Sequence, residues 1–87
     1  MRRRVLVHGR VQGVFFRDTT RRIAESRGVA GWVRNNPDGS VEAAFEGPAD
    51  AVDAMVRYVH EGPRGAHVER VEVVDEDPER LTGFRIA

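Results

Sequence analysis

Apolar and polar positions along this chain switch between a period of two and a helical period, and each switch marks an element. Val5-Leu6-Val7 is a short apolar run of the kind a buried strand shows. Phe16, Ile23 and Ala24 then recur at helical spacing, which predicts a helix over Arg17 to Arg27, closed by Gly28. Ala30 to Asn35 returns to a strand, and Asn36-Pro37-Asp38-Gly39 supplies the turn chemistry of a hairpin. In the strand that follows, Val41, Ala43 and Phe45 alternate with Glu42, Ala44 and Glu46, the pattern of a strand with one face inward. Pro48 opens a second helix whose Val52, Met55, Val56 and Val59 form an apolar stripe, with Asp50 and Asp53 near its positive end. Ala66 to Asp75 reads as a fourth strand, with Val71 and Val73 in phase and Val68 out of phase, and Phe84-Arg85-Ile86 as a short fifth strand. The segment from Asp75 to Thr82 is acidic and loop-like, with no role that the sequence assigns.

The order βαββαβ with an extra C-terminal edge strand predicts an α+β fold, a ferredoxin-like two-layer α/β sandwich. Its sheet is mainly antiparallel and both helices lie on one face. No repeat, linker or low-complexity stretch interrupts the alternation, so residues 1–87 read as a single domain.

Composition removes several function classes. Fourteen basic and fourteen acidic side chains cancel, which gives no general attraction to nucleic acid or a membrane. Cysteine is absent, which removes disulfides and thiolate catalysis and fits a cytoplasmic location. Met1-Arg2-Arg3-Arg4 is followed by only three apolar residues, too few for a signal peptide or a span. His8, His60 and His67 share no ligand spacing, so no metal site is expected. His8 reads as a partly exposed strand residue and Trp32 as a packing or exposed strand residue. All fourteen basic residues are arginine, which weakens inference from any one of them. Arg2 to Arg4, Arg21 and Arg22 read as solvated faces or helix ion-pair partners, with Asp18 three and four residues before the last two.

The chemistry concentrates in Gly9-Arg10-Val11-Gln12-Gly13-Val14-Phe15-Phe16-Arg17, where a strand hands over to a helix through two glycines. N–H groups at a helix mouth lack intrahelical partners, and the macrodipole favours negative charge there. Arg17 in the first turn adds a permanently charged fork for phosphate oxygens. The spacing is neither a Walker A loop nor a dinucleotide Gly-x-Gly-x-x-Gly.

Together with Gly31-Trp32-Val33-Arg34-Asn35-Asn36-Pro37-Asp38-Gly39-Ser40-Val41, this loop resembles the acylphosphatase family. That family carries Gly-x-Val-Gln-Gly-Val-x-Phe-Arg followed by Gly-x-Val-x-Asn-x-x-Asp-Gly-x-Val, and both patterns stand here at their usual separation. The resemblance runs nearly end to end and takes in Glu46-Gly47-Pro48 and the segment from Gly62-Pro63 to Val73. It implies hydrolysis of acyl phosphates without metal, cofactor or covalent intermediate by a cytoplasmic monomer. It also implies phosphate as product and competitive inhibitor. By position it places the phosphate-binding arginine on Arg17, the water-orienting asparagine on Asn35, and the loop amides on Gly9, Arg10, Val11, Gln12, Gly13, Val14 and Phe15. Asn36 is a decoy, since it directly precedes Pro37 and suits the opening of a turn.

The chemistry fits these types. An amide can orient a water without competing for its proton, and an arginine stays charged at any working pH. Nothing in the sequence forms a side-chain-specific pocket for the acyl part, so broad tolerance is expected. The chain departs from the pattern at its end, where the last strand stops at Ala87 without the aromatic residue many members carry. The terminal carboxylate is expected there to brace Arg17. Two alternatives stand beside the enzyme: a non-catalytic binding or regulatory ferredoxin-like module, and a carbamoyl-phosphate-handling partner domain. Retention of both Arg17 and Asn35 favours the enzyme, because a binder needs the loop but not the water-orienting amide.

Overall fold

Seven elements run β1 (Arg2–Arg10), α1 (Phe16–Ser26), β2 (Ala30–Asn35), β3 (Val41–Glu46), α2 (Ala49–Glu61), β4 (His67–Glu76) and β5 (Phe84–Ile86), in a computed structural model that describes residues 1–87. The strands form one sheet in the order β4-β1-β3-β2-β5, antiparallel except where β5 runs parallel to β2. This is the ferredoxin-like arrangement the element order predicts, with boundaries shifted by a residue at α1 and β4, and with β1 extending well beyond Val5–Val7 to take in Arg2–Arg4 and Gly9–Arg10.

Strand alternation sends Val5, Val7, Val33, Val41, Ala43 and Phe45 to one face, where they pack in a single core with Phe16 and Ala24 of α1 and Val52, Met55, Val56 and Val59 of α2. The α1 contribution follows the four-residue step from Phe16 through Thr20 to Ala24, and that of α2 is the predicted stripe. Each fully buried valine contributes on the order of 1.5–3 kcal/mol. Val68 joins this core although its position is out of phase with Val71. The β1–β4 pairing steps from His8↔Arg70 to Gly9↔Val68, so a bulge absorbs Glu69 and returns Val68 to the inner face. Gly9 adopts φ +130, and a Cβ there would collide with the His67 carbonyl oxygen. Its glycine is therefore required by the close approach of β4.

The other face corrects two expectations. β3 is buried on both sides, not one, because it is the central strand and its outward Glu42 and Glu46 are roofed by arginines from neighbouring strands. Arg2 is not solvated but 5% exposed, within ion-pair distance of Glu46, Glu76 and Glu79. Arg4 bonds Glu42 at 3.0 Å and Glu76 at 2.8 Å, and Arg34 reaches Glu42 at 2.8 Å while its guanidinium lies 5.2 Å from the centre of the Trp32 ring. Register explains the layer: Arg2 lies opposite Glu46 on one side and Glu76 on the other. Arg3 turns the opposite way and pairs with Asp53 and Asp75. Asp18 pairs with Arg21 and Arg22 as its spacing predicts.

The acidic connection between β4 and β5 also acquires a role. It must cross from one edge of the sheet to the other, and both carboxylate oxygens of Glu46 hold it, accepting the Glu79 and Leu81 N–H groups at 2.8 Å each. Burial alone would raise the Glu46 pKa, but these two N–H donors and Arg2 hold it below its ordinary value.

Candidate active site

Where β1 ends, Val11 to Phe15 form the loop that enters α1, and the chain must turn sharply within it. Gly13 takes φ +76 and Phe15, the residue capping α1, takes φ 59 and ψ 26. Two left-handed residues, two positions apart, curl the loop across the helix mouth. The main-chain N–H groups from Val11 to Asp18 have no hydrogen-bond acceptor in the protein. They form a run of donors at the positive end of α1.

A cavity of about 320 Å³ opens against this loop, lined by Val11, Gly13, Phe15, Phe16, Arg17, Asp18, Asn35 and Ile86. Arg17 and Asn35, eighteen positions apart in sequence, thus meet in one cavity because β2 lies beside the start of α1. Arg17 is exposed and forms no ion pair: Asp18, the adjacent carboxylate, is occupied by Arg21 at 3.3 Å and Arg22 at 2.8 Å. The expected brace from the Ala87 carboxylate is not formed. The last residue instead donates its N–H to the Val33 carbonyl at 2.9 Å, which ties the chain end to β2.

Asn35 and Asn36 differ sharply. The Asn35 Oδ1 is buried and has no hydrogen-bond partner. Asn36 spends its side chain within the hairpin, where its Nδ2 donates to Ser40 Oγ at 3.1 Å and Glu42 Oε1 at 3.2 Å. Asp38 completes that turn by accepting the Ser40 N–H and hydroxyl at 2.9 and 2.6 Å, bonds that hold its carboxyl below the ordinary value.

Of the residues the sequence assigns to the loop, Val11, Gly13, Phe15 and Arg17 line the cavity. Gly9 and Arg10 are the last residues of β1, paired with Val68 and His67, and stand outside it. Val14 packs against the core. Gln12 has a part that the motif did not disclose. Its Nε2 donates to the carbonyls of Asn36 at 2.8 Å and Ser40 at 2.9 Å, lashing the loop to the hairpin that carries Asn35. A glutamine inside a glycine loop, where a short polar residue suffices for a turn, is the signal that could have found it. His8 faces away from the cavity and its Nε2 lies 2.6 Å from Glu72.

Fold and site together define a class: a ferredoxin-like sandwich with a cationic, amide-lined cavity where β1 enters α1. The family model for acylphosphatase matches residues 3–86, and the chain belongs to the acylphosphatase family. An acylphosphatase of Rubrobacter xylanophilus is 68% identical over 73 residues, covering 84% of this chain and 66% of that protein. One of Haloarcula marismortui is 56% identical over 98% of this chain and 93% of its own length. The crystal structure of acylphosphatase from Bacillus subtilis superimposes with a TM-score of 0.94 at 38% identity, covering 99% of this chain and 97% of that one. Full-length HypF, in a phosphate- and nucleotide-bound form, gives a TM-score of 0.91 at 28% identity. There this chain matches 11% of the larger protein.

Proposed function

We propose that this cavity holds the phosphoryl group of an acyl phosphate on the loop N–H groups and the Arg17 guanidinium, while Asn35 orients the water that attacks phosphorus. Hydrolysis of the carboxyl–phosphate bond goes with membership of the family. The observation that carries the assignment of roles is the meeting, in one cavity, of unpartnered N–H groups, an unpaired Arg17 and the orphaned Asn35 Oδ1. A buried carbonyl oxygen without a partner costs about 1–3 kcal/mol, an arrangement that makes sense where a water is to be gripped.

The reaction needs little beyond position and charge. The water oxygen bonds to phosphorus as the bond from phosphorus to the acyl oxygen breaks, and that bond's electrons leave with the carboxylate. The water's proton passes to a phosphoryl oxygen, so no strong protein base is called for. The charge spread over the phosphoryl oxygens is met by Arg17 and the loop N–H groups, which need not reorganise as it develops. Inorganic phosphate fits the same donors and is expected to inhibit competitively.

The protein acts as a monomer in this reading, supported by a helix-free sheet face whose charged side chains are spent on ion pairs within the chain. A cytoplasmic location is supported by the cysteine-free composition. No helix is long and apolar enough to cross a membrane.

The test is phosphate release from benzoyl phosphate in buffer containing a chelator, comparing wild type with Asn35→Ala. Turnover by wild type, with a variant slowed about a hundredfold or more that still binds phosphate, supports the assignment. A variant as fast as wild type removes Asn35 from the mechanism.

A further inference from the structure

Phe15 is explained neither by the turn nor by the core. Its backbone sits at φ 59, a conformation glycine adopts without strain and which Gly13, two residues earlier, does adopt as glycine. Its ring is 81% exposed, whereas that of its neighbour Phe16 is 2% exposed and belongs to the core. A bulky side chain kept at a left-handed position and left in water points to a use outside folding.

The cavity shows what that use is. Its lining divides into a polar part, with Arg17, Asn35, the loop at Gly13 and Asp18, whose carboxylate is paired with Arg21 and Arg22, and an apolar part of Val11, Phe15, Phe16 and Ile86. Val11 and Phe16 are buried at 0% and 2% exposure, so the apolar surface open to a ligand comes from Phe15 and from Ile86, itself 39% exposed. The cavity is open and about 320 Å³ in volume, so a phosphoryl group against Arg17 and the loop leaves the apolar wall to the group attached to it.

We propose that Phe15 and Ile86 form an acyl-group subsite that favours acyl phosphates with an aromatic or branched apolar acyl part over small ones such as acetyl. The proposal rests on the phosphoryl group lying against Arg17 and the loop, which leaves the acyl part directed to the apolar wall. A phenyl or branched acyl group would cover both exposed side chains, while an acetyl group is too small to cover them. The broad tolerance expected from the sequence thus becomes a graded preference, set by a residue from the loop and one from the last strand.

The experiment measures kcat/KM for benzoyl and acetyl phosphate, and in parallel the binding of benzylphosphonate and methylphosphonate, for wild type, Phe15→Asn, Phe15→Tyr and Ile86→Thr. Asparagine tolerates the left-handed turn while removing the ring. In Phe15→Asn the benzoyl-to-acetyl ratio and the benzyl-to-methyl binding ratio are both expected to fall about tenfold, in the range one lost apolar contact supplies. Phe15→Tyr should retain both ratios, and Ile86→Thr should lower them by a smaller factor. Equal losses for large and small ligands in Phe15→Asn would show that the residue acts through the loop backbone and overturn the subsite, as would ratios that do not move. A wild type that hydrolyses neither substrate overturns the catalytic assignment alone. The phosphonate ratios then still decide the subsite.

Discussion

The helix-free face of the sheet and the mouth of α1 are built from the same residue types and treat them in opposite ways. On the face, the carboxylates' bonding capacity is largely consumed: Glu42 is bonded by Arg4, Arg34 and Asn36, Glu46 takes two N–H groups, and Glu76 is shared by Arg2 and Arg4, while Arg2 Nη1 stands 3.6 Å from Glu46 without a hydrogen bond. At the mouth of α1 it is withheld. Arg17 has no carboxylate, Asn35 Oδ1 has no donor, and the N–H groups from Val11 to Asp18 have no acceptor. Adjacent asparagines fall on either side of this line, Asn36 spent in the hairpin and Asn35 kept back. Saturated polar groups hold a shape, and unsaturated ones hold a ligand. Retaining the second kind costs stability that the first kind and the core must offset.

The largest effects should come from the withheld side. Arg17→Gln removes the only side-chain cation in the cavity, and kcat/KM for benzoyl phosphate is expected to fall about a thousandfold with loss of phosphate binding. Asn35→Ala should lower kcat about a hundredfold while phosphate still binds, and its urea midpoint should hold or rise because a buried orphan oxygen is gone. Asn36→Ala inverts the pattern. It strips two hydrogen bonds from the turn, so stability falls by about 1–2 kcal/mol while the folded enzyme keeps kcat within a few-fold. If the two asparagine variants behaved alike, the division between spent and withheld groups would be wrong.

On the saturated face, Glu42→Gln tests whether the ion layer holds the sheet. The side chain is 8% exposed, and the substitution removes the charge partner of Arg34 and one of the two carboxylates of Arg4, which keeps Glu76. A completely dry pair broken on one side costs 3–5 kcal/mol, but Arg4 and Arg34 are 33% and 50% exposed, so water takes part of their charge. A loss of about 2 kcal/mol is expected, read from urea unfolding, with activity per folded molecule retained.

The same layer sets an acid limit. Burial opposes ionisation of Glu42 and Glu46, but Arg34 and Arg4 outweigh it for the first, and the N–H groups of Glu79 and Leu81 outweigh it for the second. Hydrogen bonds from Arg4 and Arg2 lead for Glu76. All three carboxyls thus ionise below their ordinary value of 4.5. A group with a depressed folded pKa favours the folded state fully above its unfolded value, and the gain is lost as pH falls through the folded one. The urea midpoint should therefore be flat between neutrality and pH 5 and drop below 4.5, with a shallower drop in Glu42→Gln. A midpoint that begins to fall near neutrality would assign the acid limb to other groups.

Legibility in the sequence followed the range of the interactions. The α2 stripe, the hairpin turn and the Asp18 pairs are local, and periodicity or spacing exposed them. Asn35 is told from Asn36 by its place three residues before Asp38 in the family's pattern, with Pro37 restricting the Asn36 backbone to a turn. The misses are relations between distant strands. Arg2 looked solvated until register set it between Glu46 and Glu76, forty-four and seventy-four positions away. Val68 looked out of phase because a bulge leaves no mark in composition. The two loop glycines looked alike, yet Gly9 answers to the His67 backbone across the sheet and Gly13 to the turn itself.

Gln12 joins the two regions and carries the smallest of these predictions. It lies in the loop, but its side chain is spent, both N–H bonds going to carbonyls of the hairpin whose first residue follows Asn35 directly. Its side chain lines no part of the cavity, and so acts on the reaction only by setting where Asn35 stands relative to Arg17. A small misplacement of a positioning group costs rate before it costs binding. Gln12→Ala should therefore reduce kcat about five- to tenfold with KM and phosphate inhibition little changed, alongside a stability loss of about 1 kcal/mol. Gln12→Glu separates position from packing, since a carboxylate of the same size offers acceptors where two carbonyls need donors. It should fall below alanine in both stability and kcat. If kcat survives in both variants, the loop and hairpin are held together by the sheet alone, and the contrast between spent and withheld groups loses the link proposed between them.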